Sequence, residues 1–225
     1  MPHKPSQIRL VSLDFDGTIL TYPESGPVLH EAVVDALNEL NFRGIAWVAN
    51  SGRSLDELKK IVEASTLNGL EHLPQAFLCL ESLIYECSGV VFRSVEPWNS
   101  EMIETLRELH TRVRAALAPH LDEIRERFTT EIFLAEFYTT FNIPDSEEKL
   151  NALFGQLRKW LRDVKGASFT RSDTWCAVHS SRAGKGAVLR AFAARTGFEF
   201  DEILAIGDHF NDLTMLDGTA AGHVG

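Results

Sequence analysis

A chain of 225 residues that is 44% hydrophobic and 24% charged can bury a sizeable core, enough for one or two domains. Its formal net charge of −10 argues against a nucleic-acid partner and against an anionic membrane surface, since both select a positive patch. Three scattered cysteines, Cys79, Cys87 and Cys176, fit neither a disulfide framework nor a metal-ligand spacing, and no apolar run has signal-peptide or membrane-span length, which points to a cytoplasmic protein.

In chain order, residues 8–13 form a short apolar run leading into a polar loop at 14–26, the pattern of a strand buried on both faces of a parallel sheet. Pro27 opens a helical pattern carried by Val28, Ala32, Leu37 and Leu40 and stopped near Gly44. A second buried strand is predicted at 45–49. Ser54 and Glu57 form a capping box for a helix with an apolar stripe of Leu55, Leu58, Ile61 and Val62, and a third strand follows at 76–80. This alternation predicts an α/β fold with a doubly wound parallel sheet.

Beyond Leu80 the rhythm changes. Residues 83–86 and 90–93 flank Ser88-Gly89 as a hairpin, and a helix over 98–118 ends at Pro119. A strand at 131–139, a helix capped by Asp145 and Glu148, and a hairpin of 167–170 with 174–178 around Ser172-Asp173 complete the segment. This α+β character predicts a domain over 82–181 inserted into a sheet domain made of 1–81 and 182–225. Helix and strand resume at 185–195 and 203–206.

Asp14-Phe15-Asp16-Gly17-Thr18 stands where the first strand ends, and open parallel sheets bind ligands outside the carboxyl ends of their strands. Two carboxylates two residues apart share a direction, so one can attack as a nucleophile while the other moves protons. An Asx-rich turn is the competing reading. An EF-hand loop is not, because it needs an acidic or amide residue at Thr18 and a glutamate at Ser25. Gly207-Asp208-His209-Phe210-Asn211-Asp212 follows the strand at 203–206, and Asp208 is a hard oxygen ligand suited to magnesium, with a helix N-cap as the alternative. Ser51-Gly52-Arg53 offers a hydroxyl, backbone N–H groups and a helix N-terminus to phosphoryl oxygens. Lys185-Gly186 adds a cation at the start of a helix; His179 stands where a P-loop would need its first glycine. Two carboxylate clusters beside two anion binders describe phosphoryl transfer.

In this order the four motifs resemble those of the haloacid dehalogenase superfamily of phosphatases. The insert is similar to the larger α/β cap of the Cof-type sugar-phosphate phosphatases. The resemblance covers nearly the whole chain and implies a Rossmann-like sheet domain with an inserted α+β cap. It implies that Asp14 is the nucleophile and Asp16 the general acid/base, and that Ser51 and Lys185 hold the transferring phosphoryl group. Gly17, Thr18, Gly52, Arg53 and Asn211 would contact the substrate. Magnesium would be bound by Asp14, the Asp16 backbone carbonyl and Asp208, with Asn211 and Asp212 in support. The implied reaction is hydrolysis of a small phosphorylated metabolite through an aspartyl-phosphate; a phosphomutase passing the same group to a sugar hydroxyl is the rival. The Asp14 charge is expected to favour a protonated Asp16.

Two features depart from the branch. Its members usually place Asn-Gly where the chain enters the cap, whereas Glu81-Ser82 stands here, and the chain stops at His223-Val224-Gly225 where relatives continue into a closing helix. In the insert, Phe133, Phe137, Tyr138 and Trp175 are candidates to stack on a substrate, though core packing is the commoner role of aromatic residues in short strands. His209, beside Asp208, is a candidate to touch substrate, though an exposed loop residue is the commoner case.

Overall fold

The computed structural model describes residues 7–128, 130–171 and 174–225. The chain divides into two compact units, the larger comprising Met1–Asn99 and Gly184–Gly225 and the smaller Ser100–Ala183. The larger unit begins with β1 (Leu10–Leu13) and a ribbon of β2 (Leu20–Thr21) and β3 (Val28–Leu29), then α1 (Glu31–Phe42), β4 (Ala46–Asn50), α2 (Leu55–Thr66) and β5 (Ala76–Cys79). A hairpin of β6 (Leu83–Ser88) and β7 (Val91–Ser94) follows. The chain continues through α3 (Trp98–Leu117), α4 (Leu121–Phe128), β8 (Glu131–Leu134), β9 (Thr139–Asn142), α5 (Glu147–Trp160), β10 (Ala167–Arg171) and β11 (Trp175–Ser180). It closes with α6 (Lys185–Thr196), β12 (Ile203–Ile206), α7 (Leu213–Leu216) and β13 (His223–Val224).

The main sheet has seven strands in the order β13-β12-β1-β4-β5-β6-β7. The first five run parallel, and β6 and β7 add an antiparallel margin. β1 lies centrally, its four residues all buried, as its nearly continuous apolar pattern predicts, with Ser12 the one polar member. Leu10, Val48, Ala76, Leu78, Val188, Leu189, Phe192 and Ile203 share one core between sheet and α6. The smaller unit is a four-stranded antiparallel sheet, β10-β11-β9-β8, whose core joins Phe141, Cys176 and Val178 to apolar residues of α3, α4 and α5. No helix among the described residues is long and apolar enough to cross a membrane.

Three expectations change. The hairpin at 83–94 extends the main sheet rather than opening the insert, because Ile84 and Val95 join the larger core and Phe77 stacks on Phe92 at 5.5 Å. The unit boundaries therefore fall at Asn99/Ser100 and Ala183/Gly184 instead of near 82 and 181. The first helix starts at Glu31, not Pro27: His30 Nδ1 accepts the Ala32 N–H at 3.1 Å, while Val28 and Leu29 pair with β2. The strand expected at 131–139 is a hairpin of two strands, and the residues proposed for the turn between β10 and β11 lie outside those described.

Candidate active site

β12, β1 and β4 are neighbours in the sheet, so the loops leaving their carboxyl ends converge. They carry Asp14, Asp16, Gly17 and Thr18 after β1, Ser51, Gly52 and Arg53 after β4, and Asp208, Asn211 and Asp212 after β12. Lys185 joins them as the first residue of α6. All these residues belong to the larger unit. The structure thus gathers the residues of all four motifs in that unit, whereas Phe133, Phe137, Tyr138 and Trp175 lie in the smaller one.

At the centre, Lys185 Nζ donates to Asp14 Oδ1 and to Asp212 Oδ1, both at 2.5 Å, and all three side chains are buried. Burial works against the lysine charge, but the two carboxylates outweigh it and hold the ammonium above its ordinary pKa. Burial likewise pushes Asp14 up to about 6, opposed by Lys185. Thr18 Oγ1 donates to Asp208 Oδ1 at 2.9 Å and approaches Asp14 Oδ2 at 3.3 Å, tying the first motif to the last. Gly17 has φ +83°, and a Cβ there would overlap the Asp208 carboxylate, so the turn needs glycine for conformation and for space.

Asp16 turns away from this cluster. Arg53 grips it with two bonds, Nε to Oδ2 at 2.8 Å and Nη2 to Oδ1 at 2.6 Å, and the Tyr22 hydroxyl donates to Oδ1 at 2.5 Å. Burial raises the Asp16 pKa, but the hydrogen bonds from Arg53 and Tyr22 prevail and hold it below the ordinary carboxylate value. This reverses the expected protonated Asp16: its nearest charge is a guanidinium, and the carboxyl held above its ordinary value is that of Asp14.

Carboxylate oxygens of Asp14, Asp208 and Asp212 lie within 4.8 Å of one another. Three carboxylates face one ammonium, since Arg53 neutralises Asp16, and the surplus of negative charge together with all-oxygen donors suits a hard divalent cation such as magnesium. Asp212 is already engaged at both oxygens: Oδ1 takes Lys185, and Oδ2 accepts the backbone N–H groups of Asp208 and His209 at 3.2 and 2.9 Å. Its bonds to the Asp208 and His209 N–H groups place it to orient the loop that carries Asp208. The Asp16 carboxylate, held by Arg53, is not part of this group of three.

Further residues shape the site around the motif side chains. Asn50, buried at the end of β4, donates to the Lys185 carbonyl at 3.0 Å and steadies the start of α6. Gly186 N–H donates to Thr214 Oγ1 at 3.0 Å, and a Cβ on Gly186 would overlap the Thr214 carbonyl, so α6 and α7 pack backbone to backbone there. Tyr22 reaches Asp16 from the ribbon, a contact that no spacing rule announces. Glu81 Oε1 accepts the Asn211 side-chain N–H at 2.8 Å, and it follows Leu80 in a pair of left-handed residues, φ 51° and 53°. That conformation costs a non-glycine residue about 1–2 kcal/mol. The pair falls one residue before the Glu81-Ser82 position expected to replace Asn-Gly.

In the smaller unit, core packing does not describe Phe133 and Tyr138, which are 50% and 45% exposed; Phe137 lies under the Arg107 guanidinium, and Trp175 is half-buried. His209 is half-buried against Phe210 rather than free in solvent.

Residues 81–223, more than half the chain, match the family described as haloacid dehalogenase-like hydrolase. The chain is 24% identical to a 5-amino-6-(5-phospho-D-ribitylamino)uracil phosphatase of Bacillus subtilis, over 96% of this chain and 82% of that one. It is 28% identical to a phosphoglycolate phosphatase of Methanopyrus kandleri, over 95% and 82% of the two chains. Among solved structures, a sucrose-phosphatase from Synechocystis in complex with sucrose and phosphate superposes with a TM-score of 0.69 at 17% identity, covering 96% of this chain and 81% of that one.

Proposed function

The chain belongs to the haloacid dehalogenase-like hydrolases and is a phosphoric monoester hydrolase, and we propose that it cleaves a small phosphorylated metabolite through an aspartyl-phosphate on Asp14. The observation that carries this reading is the buried Asp14 carboxylate at the carboxyl end of β1, held by Lys185 and flanked by Thr18 and Asp208. An Asp14 oxygen attacks phosphorus, the ester bond breaks, and the phosphoryl group passes to the carboxylate. Lys185 offsets negative charge on the phosphoryl oxygens, and the Ser51 hydroxyl with the Gly52 N–H binds them. Magnesium, held by Asp14, Asp208 and the Asp16 backbone carbonyl with Asp212 orienting the loop, would supply Lewis-acid stabilisation of the same charge.

Asp16 donates the proton that the leaving alkoxide needs, and then takes one from the water that hydrolyses the acyl phosphate. In the arrangement described above it is ionised and clamped by Arg53. Donation therefore requires Arg53 to let go and Asp16 to take up a proton first, from solvent or from a singly ionised substrate phosphate, and that phosphate is the natural competitor for the guanidinium. The reading is tested by inorganic phosphate release from a panel of sugar, nucleotide and small-acid phosphates. Asp14→Asn should abolish both phosphate release and the phosphoenzyme, and chelator should stop turnover until magnesium is restored. Phosphoryl transfer to an added sugar phosphate without release of inorganic phosphate would show a mutase instead. Full turnover by Asp14→Asn would overturn the nucleophile.

A further inference from the structure

Two consecutive non-glycine residues, Leu80 and Glu81, hold the left-handed conformation at the carboxyl end of β5. Such strain persists where the surroundings impose it, and the contacts here show what they impose. Leu80 N–H donates to the Arg53 carbonyl at 3.0 Å and Glu81 N–H to the Ser51 carbonyl at 3.2 Å. The Glu81 carbonyl accepts the Gly184 N–H at 2.8 Å, just before Lys185. The Glu81 carboxylate accepts from Asn211 at 2.8 Å and lies over Gly52, where an added Cβ would stand 3.7 Å from Oε1.

One residue therefore touches the loops that carry Ser51, Lys185 and Asp208. Its two backbone bonds would form with any side chain, glycine included, and glycine would remove the strain. The bond to Asn211 is the part that glutamate alone adds. Asn211 lies between Asp208 and Asp212, on the loop that presents the carboxylates suited to a metal.

We infer that Glu81 is a positioning residue, which fixes the Asp208–Asp212 loop through Asn211 and so sets the metal affinity and turnover of the site. The inference rests on the reading of that loop as a magnesium-binding loop. Outer-shell partners of this kind typically control metal affinity or activity by about 10–100-fold. Glu81→Gln keeps an oxygen that can accept from Asn211. Glu81→Gly loses it while relaxing the backbone.

The test combines magnesium titration calorimetry, steady-state kinetics and thermal melting on the parent, Glu81→Gly, Glu81→Gln, Asn211→Ala and the Glu81→Gly/Asn211→Ala pair. Glu81→Gly should melt at or above the parent temperature yet bind magnesium at least about 10-fold more weakly, with kcat reduced more than KM is raised. Glu81→Gln should stay within about three-fold of the parent, and the double variant should lose no more than the worse single one. A purely structural role would instead lower stability and activity together. Unchanged magnesium affinity and kcat in Glu81→Gly, or full additivity in the double variant, would overturn the inference and leave the phosphatase reading standing. A parent that releases no phosphate from any substrate, yet loses magnesium affinity on Glu81→Gly, would overturn the phosphatase reading and leave the positioning role.

Discussion

Lys185 shows how one side chain can be held in place by opposing demands. Its ammonium is 1% exposed, a position a charge tolerates only when paired, and Asp14 and Asp212 pair it at 2.5 Å each. Removing it leaves two buried carboxylates facing each other with no counter-charge. Lys185→Met should therefore destabilise the fold by about 3–5 kcal/mol, read by urea denaturation in chelator, because loss of one partner strands the others. Adding Asp212→Asn should recover part of that loss by removing one stranded charge. If Lys185→Met were neutral in stability, the cluster would be better hydrated than its burial indicates. Arg53 and Tyr22 make the complementary point. They keep Asp16 charged in an exposed position, where an ion pair contributes little stability, so their arrangement concerns chemistry more than folding.

At the scale of elements, α3 carries a buried titratable group with no catalytic place. His110 is fully buried, its Nδ1 is 3.1 Å from Thr139 Oγ1, and Nε2 has no hydrogen-bond partner among the described residues. Burial, with Arg114 and His179 adding to it, lowers its pKa from 6.5 to about 4. Between these values the unfolded chain takes up a proton that the folded chain refuses, so stability falls as pH drops from about 6.5 to 4 and is unaffected by this group above that window. The loss is at most about 3 kcal/mol. A denaturation series from pH 7.5 to pH 4 on the parent and on His110→Gln should show a shallower decline in the variant; parallel curves would mean that His110 protonates freely in the folded state. The close approach of α6 to α7 gives a second check. Gly186→Ala forces a methyl into the Thr214 carbonyl and should cost about 1–3 kcal/mol or more by overpacking, seen as a lower melting temperature.

The same elements show what the sequence could and could not reveal. Strands buried on both faces are legible because their apolar runs are nearly continuous, and β1, β4 and β5 follow that rule. The motif residues were legible because they sit at the ends of those strands, where chemistry concentrates. Tyr22 and Glu81 were not, because their partners are 6 and 130 residues away and nothing in local pattern links them. The protonation states of Asp14 and Asp16 escaped for the same reason. They depend on which charge is nearest in space, and Arg53 is nearest to Asp16 only through a side-chain orientation that spacing does not encode. The β6–β7 hairpin was misassigned because an antiparallel pair reads alike whether it opens a new domain or edges an existing sheet.

At the scale of the molecule, that misassignment has a measurable consequence. Each unit has its own core, one around Leu10, Val48 and Phe192, the other around Phe141, Leu153 and Val178. A variant that replaces residues 100–183 with a Gly/Ser linker keeps all seven strands of the main sheet, and it keeps Asn99, whose side chain accepts from the Ile84 N–H at 2.8 Å and donates to the Ile84 carbonyl at 2.7 Å. A variant that replaces residues 82–181 instead removes β6 and β7, strips β5 of its antiparallel neighbour and uncovers Phe77. Unpaired β5 then offers its N–H and C=O groups to other chains, the ordinary route to edge-to-edge aggregation. The first variant should be soluble, melt cooperatively and hydrolyse an aryl phosphate slowly with magnesium, since every candidate site residue and Glu81 remain. Its ranking of natural phosphates beside that of the parent measures what the smaller unit adds to specificity. The second should aggregate or melt without cooperativity. Circular dichroism and size-exclusion chromatography separate the two outcomes, and a well-folded second variant would show that the β6–β7 hairpin is dispensable to the sheet it extends.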